Sequence, residues 1–219
     1  MINTKERQII LTAQEANAVL AGDKTQHRVI IENTEATQCL FNGDWRYDGR
    51  DFLDNDGCIP DPKGAHYIER LNQDGLPTED YRCIGYCPFG AIGDRLWVQE
   101  PTYTANSWDW FYSATDSLVE CKSPYTPSDL HLPWDDEHQE YTGSIGAEHM
   151  PRWASRLLLE ITDIRIERVQ GITLGDSFRE GCDGLMDFAA DYWMVKHGEA
   201  AWFADPWVWV IDFKVIKGS

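Results

Sequence analysis

Apolar positions in this chain come in short runs, separated twice by long polar stretches. Near the start, Ile9, Ile10 and Leu11 predict a short buried strand. Thr12 is placed to cap a helix over 13–21, with Ala16, Val19 and Leu20 on one face and Gly22 ending it. Asp23, Lys24, Thr25, Gln26, His27 and Arg28 then read as a polar turn before a strand at Val29, Ile30 and Ile31. Further on, Gly93-Asp94 predicts a turn, and Leu96, Trp97 and Val98 a strand buried on both faces. The longest pattern runs from His149 to Gly181. Leu157, Leu159, Ile161, Ile164 and Ile166 alternate with polar residues but slip by one position at Thr162-Asp163, as a bulge or bend requires. Thr173 opens a short polar helix that carries Glu180 before Gly181 stops it. An amphipathic helix is expected over 184–196 from Leu185, Phe188, Ala189, Tyr192, Trp193 and Val195. The final run, Trp207 to Ile216, is the most strand-like in the chain and is expected to be central.

The polar stretches read as insertions at about 32–82 and 103–148. The first is rich in Asn, Asp and Gly, with Pro60, Pro62 and Pro77 expected to prevent regular elements beyond short hairpins; Tyr67, Ile68 and Leu71 would pin it to the body. The second offers one strand around Trp108, Trp110, Phe111 and Tyr112 in an acidic, proline-broken setting. In total the pattern predicts about six strands and about three helices without a βαβ rhythm. The expected fold is α+β, one domain over 1–219, built on a closed or nearly closed mixed or antiparallel barrel with helices outside.

Composition narrows the functional classes. The 219 residues are 42% hydrophobic, enough for a sizeable core, and carry 19 Lys+Arg against 37 Asp+Glu, a net charge of -18. Ten acids and one lysine lie between Glu100 and Glu148. Such an excess opposes non-specific binding to nucleic acid or anionic membrane, though it leaves room for a local basic groove. The acidic stretch is a solvated loop by default; as a surface it could imitate nucleic acid or repel it from one side. Six cysteines are too sparse for a disulfide scaffold, the N-terminus lacks a signal-like apolar segment, and no run approaches the ~20 apolar residues of a membrane span. A cytoplasmic protein with reduced thiols and no membrane association is expected.

Among the residues that can do chemistry, Lys24, Thr25, His27, Glu180 and Glu100 lie beside ordered elements. A lysine that burial deprotonates beside a carboxylate can activate a hydroxyl or water for attack on an amide; the plainer alternative is a surface ion pair. Cys83 and Cys87 are candidate metal ligands only if Cys58, His66 or Cys39 complete the set, and the spacing does not supply a second close pair. His131, His138 and His149 are too far apart for an H-E-x-x-H site, and no G-x-S-x-G elbow is present. No cofactor is expected.

Several of these pieces resemble one family. The turn Gly22-Asp23-Lys24-Thr25-Gln26-His27-Arg28 resembles the G-x-K-T-x-T-x-R turn of ASCH domains, in the PUA-like superfamily. Gly93-Asp94-Arg95-Leu96-Trp97-Val98 resembles their PGDRLWVRE segment, and Trp209 to Val215 their closing strand. CPFG, HMPRWASR and DPWVWVIDF are similar to phage and prophage ASCH-like proteins of largely unassigned function. The likeness covers roughly residues 7–31, 83–100 and 149–216 and omits both insertions. It implies a small β-barrel with a cleft near Lys24, and a role with RNA, a nucleotide or a modified nucleoside. In that role Arg28, Arg152, Arg156 and Lys24 would contact phosphate, and Trp97 or Trp153 would stack a base. One branch of the family deacetylates N4-acetylcytidine with a lysine, a threonine three residues on and a later glutamate. Lys24 and Glu180 match two of these; His27 stands at the threonine position, with Thr25 the neighbouring hydroxyl. That branch implies an amidohydrolase in which Thr25 or His27 takes the threonine's part. A phage accessory protein that binds a host protein through the acidic insertions is the remaining reading.

Overall fold

A computed structural model of the chain describes residues 4–31, 45–47, 65–104, 109–120, 134–135, 140–141 and 143–217. The chain divides into two compact units: Met1–Thr25 with Arg95–Glu160 and Lys214–Ser219, and Gln26–Asp94 with Ile161–Phe213.

The first unit opens with β1 (Glu6–Ile10) and α1 (Ala13–Ala21). Thr12 and Glu15 form a reciprocal capping box, and Gly22 ends the helix at φ 85°, a left-handed conformation that favours glycine. β1 pairs in parallel with β6 (Arg95–Gln99), from Glu6↔Arg95 to Ile10↔Gln99. The first residues of β12 (Leu158–Arg168) pair antiparallel with β6 on its other side, Leu158↔Trp97 to Glu160↔Arg95. Leu96 and Val98 are buried as the pattern required, and Trp97 is half-buried.

The described residues of the acidic stretch include strands. β7 (Thr102–Thr104) lies between β8 (Trp110–Tyr112) and β11 (Gly143–Ile145) in a three-stranded sheet, and β9 (Trp134–Asp135) pairs with β10 (Glu140–Tyr141). Trp110, Tyr112, Val119, Ile145, Met150 and Ala154 form a core beneath it, with Trp153 packed against them. β8 is the strand expected around Trp110, Phe111 and Tyr112; the other short strands, two or three residues each, carry too little alternation to be read in sequence. Trp108 lies outside the described residues.

In the second unit, β2 (Gln26–Ile30) pairs antiparallel with β13 (Trp207–Lys217), from Val208↔Ile30 to Asp212↔Gln26. The strand thus begins three residues before the expected Val29, and Gln26, His27 and Arg28 are buried strand residues where a polar turn was expected. β3 (Trp45–Tyr47), β4 (Ala65–Leu71) and β5 (Pro77–Tyr86) form a further sheet that begins in the first insertion and extends past its expected end at 82. Its hairpin is nucleated by Asn72, whose Oδ1 accepts from the backbone N–H of Asp74 and of Leu76, both at 2.9 Å, with Gly75 at φ 74°. Pro77 does not break the strand because it is the first residue, where a missing N–H is tolerated. Pro60, Pro62, Cys39 and Cys58 lie outside the described residues, as do the side chains of His66, Tyr67 and Ile68; Leu71 is half-buried.

Burial along β12 changes phase between Ile161 and Ile164, across exposed Thr162 and Asp163, where the alternation slipped. After it, Thr173 and Asp176 form a second capping box on α2 (Leu174–Arg179), Glu180 is the C-cap, and Gly181 follows at φ 83°. The next helix departs from expectation. Asp187–Trp193 is a π-helix, continued by α3 (Met194–His197); α4 (Glu199–Phe203) follows. Phe188 and Trp193, five apart, are both buried, which a wider i→i+5 turn permits; Leu185 and Val195 are exposed instead of buried. Phe188 and Trp193 join Val169, Ile172, Cys182, Val208 and Val210 in the unit's core.

The mixed sheet has the order β1-β6-β12-β13-β2. β13 is therefore an interior strand, and β12 is the central one. Val208 to Ile211 are buried on both faces, while Val215 and Ile216 are exposed. The fold is mixed α and β, with sheets and a few short helices; the strand order is linear, and among the described residues no ladder closes it into a barrel. No helix among them is long and apolar enough to cross a membrane.

Candidate functional site

In the second unit β2 presents alternate side chains to opposite faces, so Gln26 and Arg28 share one face and His27 takes the other. Arg28 is 1% exposed and donates through Nη1 to Gln26 Oε1 and to Glu180 Oε1, the latter at 3.0 Å, and through Nη2 to Glu167 Oε2 at 3.1 Å. Asp176 Oδ2 lies 3.7 Å from the same guanidinium, and the Phe188 ring centroid 5.9 Å from its carbon. Gln26 Nε2 donates to Asp212 Oδ1 at 2.5 Å and to Asp176 Oδ1 at 3.3 Å. Arg165 closes the circuit, with Glu167 and Asp212 each at 2.6 Å and Asp176 at 3.2 Å. The result is a buried polar lattice that ties β2, β12, β13 and α2 together.

Its electrostatics follow from those partners. Burial alone would raise the Asp176 pKa, but hydrogen bonds from Thr173, Arg179 and Gln26 outweigh it and hold the carboxyl well below the usual carboxylate range. Burial acts against the Arg165 charge, and the adjoining Glu167 and Asp212 carboxylates more than restore it. Glu180, the expected functional carboxylate, is thus a partner of Arg28, in a pair whose side chains are both fully buried. His27 sets its ring edge-on to Phe89, centroids 6.5 Å apart, on the opposite face of β2.

Lys24 belongs to the first unit. It is fully buried, its Nζ 3.9 Å from Glu15 Oε1, while Oε2 of the same carboxylate accepts from the Thr12 N–H at 2.8 Å. The capping residue of α1 therefore also faces a buried ammonium. Thr25, beside it, is half-buried. Of the candidate metal ligands, Cys87 is buried and the Cys83 side chain lies outside the described residues; no group of three or more His, Cys, Asp or Glu among the described residues is placed to hold a metal ion.

A cleft of about 360 Å³ opens in the first unit, lined by Tyr112, Leu118, Trp153, Arg156, Glu120 and Lys217 among others. The last four residues of HMPRWASR, Trp153 to Arg156, line it, entering from the 3₁₀ turn Arg152–Ala154. Arg156 is held on three sides. Its Nε and Nη2 donate to the two Glu100 oxygens, both at 2.8 Å, and Nη1 donates to Thr115 Oγ1 at 2.9 Å and Ser117 Oγ at 3.1 Å. Its carbon sits 3.9 Å from the Tyr112 ring centroid, and the Tyr112 hydroxyl donates to the Ala154 carbonyl at 2.7 Å. Burial raises the Tyr112 pKa, with the Arg156 charge opposing and Glu100 and Glu120 adding to the rise. Trp153 packs edge-on to Trp110 at 5.6 Å. Arg152 pairs with Glu6 at 3.0 Å and lies 5.7 Å from the Trp97 ring centroid, on the surface.

Two of the six residues expected to contact nucleic acid or a nucleotide, Trp153 and Arg156, therefore line one cleft; Arg152 and Trp97 form a separate pair, Arg28 is built into the lattice, and Lys24 is buried beside Glu15. The lattice residues Gln26, Arg165, Asp176 and Asp212 were missed in sequence. One signal was available: Asp212 is a lone acid inside an apolar strand, and a half-buried acid in that position needs a cationic or amide partner. The chain matches no family model, no curated protein and no solved structure.

Proposed function

We propose that this protein is an ASCH-type, PUA-like module that binds RNA, a nucleotide or a modified nucleoside, with a base lodged in the Trp153 cleft. The observation that carries the reading is the meeting of Trp153, Arg156 and Tyr112 around a space of about 360 Å³. That volume is at the small end of ligand pockets, roughly 300–1,000 Å³, and suits one base with its sugar. Arg156 is fixed by a bidentate carboxylate, so the cleft wall is set before a ligand arrives. Four of its hydrogen bonds are already made, which leaves Lys217, exposed at the rim, as the cation for a phosphate. In this reading the mixed sheet is the wall of the PUA-like barrel.

Calorimetric titration at low and moderate salt with a nucleoside panel, nucleoside monophosphates and short RNAs tests it. Trp153→Ala should weaken binding roughly 5- to 150-fold, the range for one lost base–aromatic stack. Absence of binding to every class at low salt, or an unchanged affinity in Trp153→Ala, overturns the reading.

Deacetylation of an N4-acetylcytidine-like nucleoside is the second reading. Its support is the full burial of Lys24, with its Nζ 3.9 Å from Glu15. The engagement of Glu180 with Arg28 weighs against it. Release of acetate that Lys24→Ala abolishes would favour it over simple binding.

A further inference from the structure

The helical segment after α2 is apolar on two sides. Its inner side, Phe188, Ala189 and Trp193, is buried in the core of the second unit. Its outer side is also apolar: Met186 and Val195 are each 79% exposed, and Ala190 between them is exposed. These three are four and five residues apart, and in a π-helix, which closes i→i+5, that spacing keeps side chains on one face. A plain α-helix would turn Val195 away from Ala190; the π-turn therefore keeps the outer row continuous while the inner row packs. In the same unit Leu174 and Phe178, four apart on α2, are 53% and 50% exposed.

An exposed apolar row on a helix whose inner face is already packed is open to an interaction partner. The charges beside it select the occupant. Asp187 and Asp191 follow Met186 and Ala190, Lys196 follows Val195, and Asp183 is exposed just before the row, so three acids outweigh one lysine along it. A second copy would set these same acids against each other on chains that each carry -18, which disfavours self-association. A segment with an apolar stripe flanked by lysine or arginine meets both features at once. We propose that the outer face of residues 186–195 docks a basic amphipathic helix of another protein, a role independent of the Trp153 cleft.

The test uses the full chain and a fluorescein-labelled ~18-residue Leu/Lys amphipathic peptide, with a Leu/Glu peptide of identical apolar pattern as comparison, read by anisotropy. The Leu/Lys peptide should bind and the Leu/Glu peptide should not. Met186→Ser with Val195→Ser leaves net charge unchanged and should weaken binding about ten-fold. Asp187→Asn with Asp191→Asn should weaken it similarly and flatten its salt dependence; asparagine at 187 keeps an acceptor for the Asp183 N–H, which Asp187 now holds at 2.9 Å. Asp23→Asn, an exposed acid in the other unit, should change nothing. Single Met186→Ser, expected to retain part of the loss, serves if the double variant loses its melting transition. The proposal is overturned if the serine variants bind as well as the parent, which would mean bulk charge alone, if both peptides bind equally, or if sedimentation shows a dimer that Met186→Ser dissociates.

Discussion

Replacing Glu180 with alanine tests what the carboxylate at the end of α2 is for. Its Oε1 accepts from Arg28 Nη1 at 3.0 Å, and neither side chain has solvent exposure. Removing one member of a buried pair costs about 3–5 kcal/mol, because the remaining charge stays out of water without its partner. Arg28 keeps Glu167 at 3.1 Å and Asp176 at 3.7 Å. The expected loss is therefore at the low end, about 3 kcal/mol. In a chain of this length that lowers the melting midpoint by about 6–12 °C. Arg28→Met removes one cation from Glu180, Glu167 and Asp176 together, so it should be the more damaging change. Glu180→Gln keeps an acceptor oxygen at the same place and should be the mildest. Urea and thermal unfolding followed by tryptophan fluorescence and circular dichroism give the order directly. A loss under ~1 kcal/mol for Glu180→Ala would refute the structural reading and return the carboxylate to chemistry. The opposite pattern, a large loss of stability with no acetate release in the parent protein, would remove the deacetylase reading's second carboxylate.

Two further changes probe single elements. Asp176 is held below its ordinary pKa, so its contribution is present above the unfolded value, near ~3.9, and is lost as pH falls below it. The difference in urea midpoint between the parent and Asp176→Asn should accordingly be largest near neutral pH and shrink from about pH 5 to about pH 2; a constant difference would refute the assignment. Gly22→Ala meets no atom within 4 Å but must adopt φ 85°, so it should cost about 1 kcal/mol through backbone strain alone, measured by thermal melting; a neutral substitution would show that α1 ends differently.

What the chain discloses in sequence depends on whether local chemistry or distant partners fix an element. α1 and α2 were legible because their signals are local: Thr12 with Glu15 and Thr173 with Asp176 satisfy helix N-termini within one turn, and Gly22 and Gly181 end them. The phase slip in β12 was legible for the same reason, since each side chain's burial follows its neighbours two residues away. β2 was not. Gln26 and Arg28 look like part of a polar turn because partners of theirs lie 139 to 186 positions away, in Glu167, Asp176, Glu180 and Asp212. A buried polar strand is invisible to any rule that equates polarity with exposure, and only the long-range lattice repays its desolvation. The same limit separates the candidate sites. HMPRWASR could be singled out, but that Arg156 meets Tyr112 and Glu100 depends on β8 and β6 folding around it. Lys24 could be singled out too, and its buried neighbour Glu15 sits only nine positions back, in a capping role that hides it among ordinary helix signals. A carboxylate that caps a helix with one oxygen can face an ammonium with the other. Glu15 is thus an acid beside Lys24 whose second role the capping pattern itself conceals, and a variant series at Lys24 is incomplete without it.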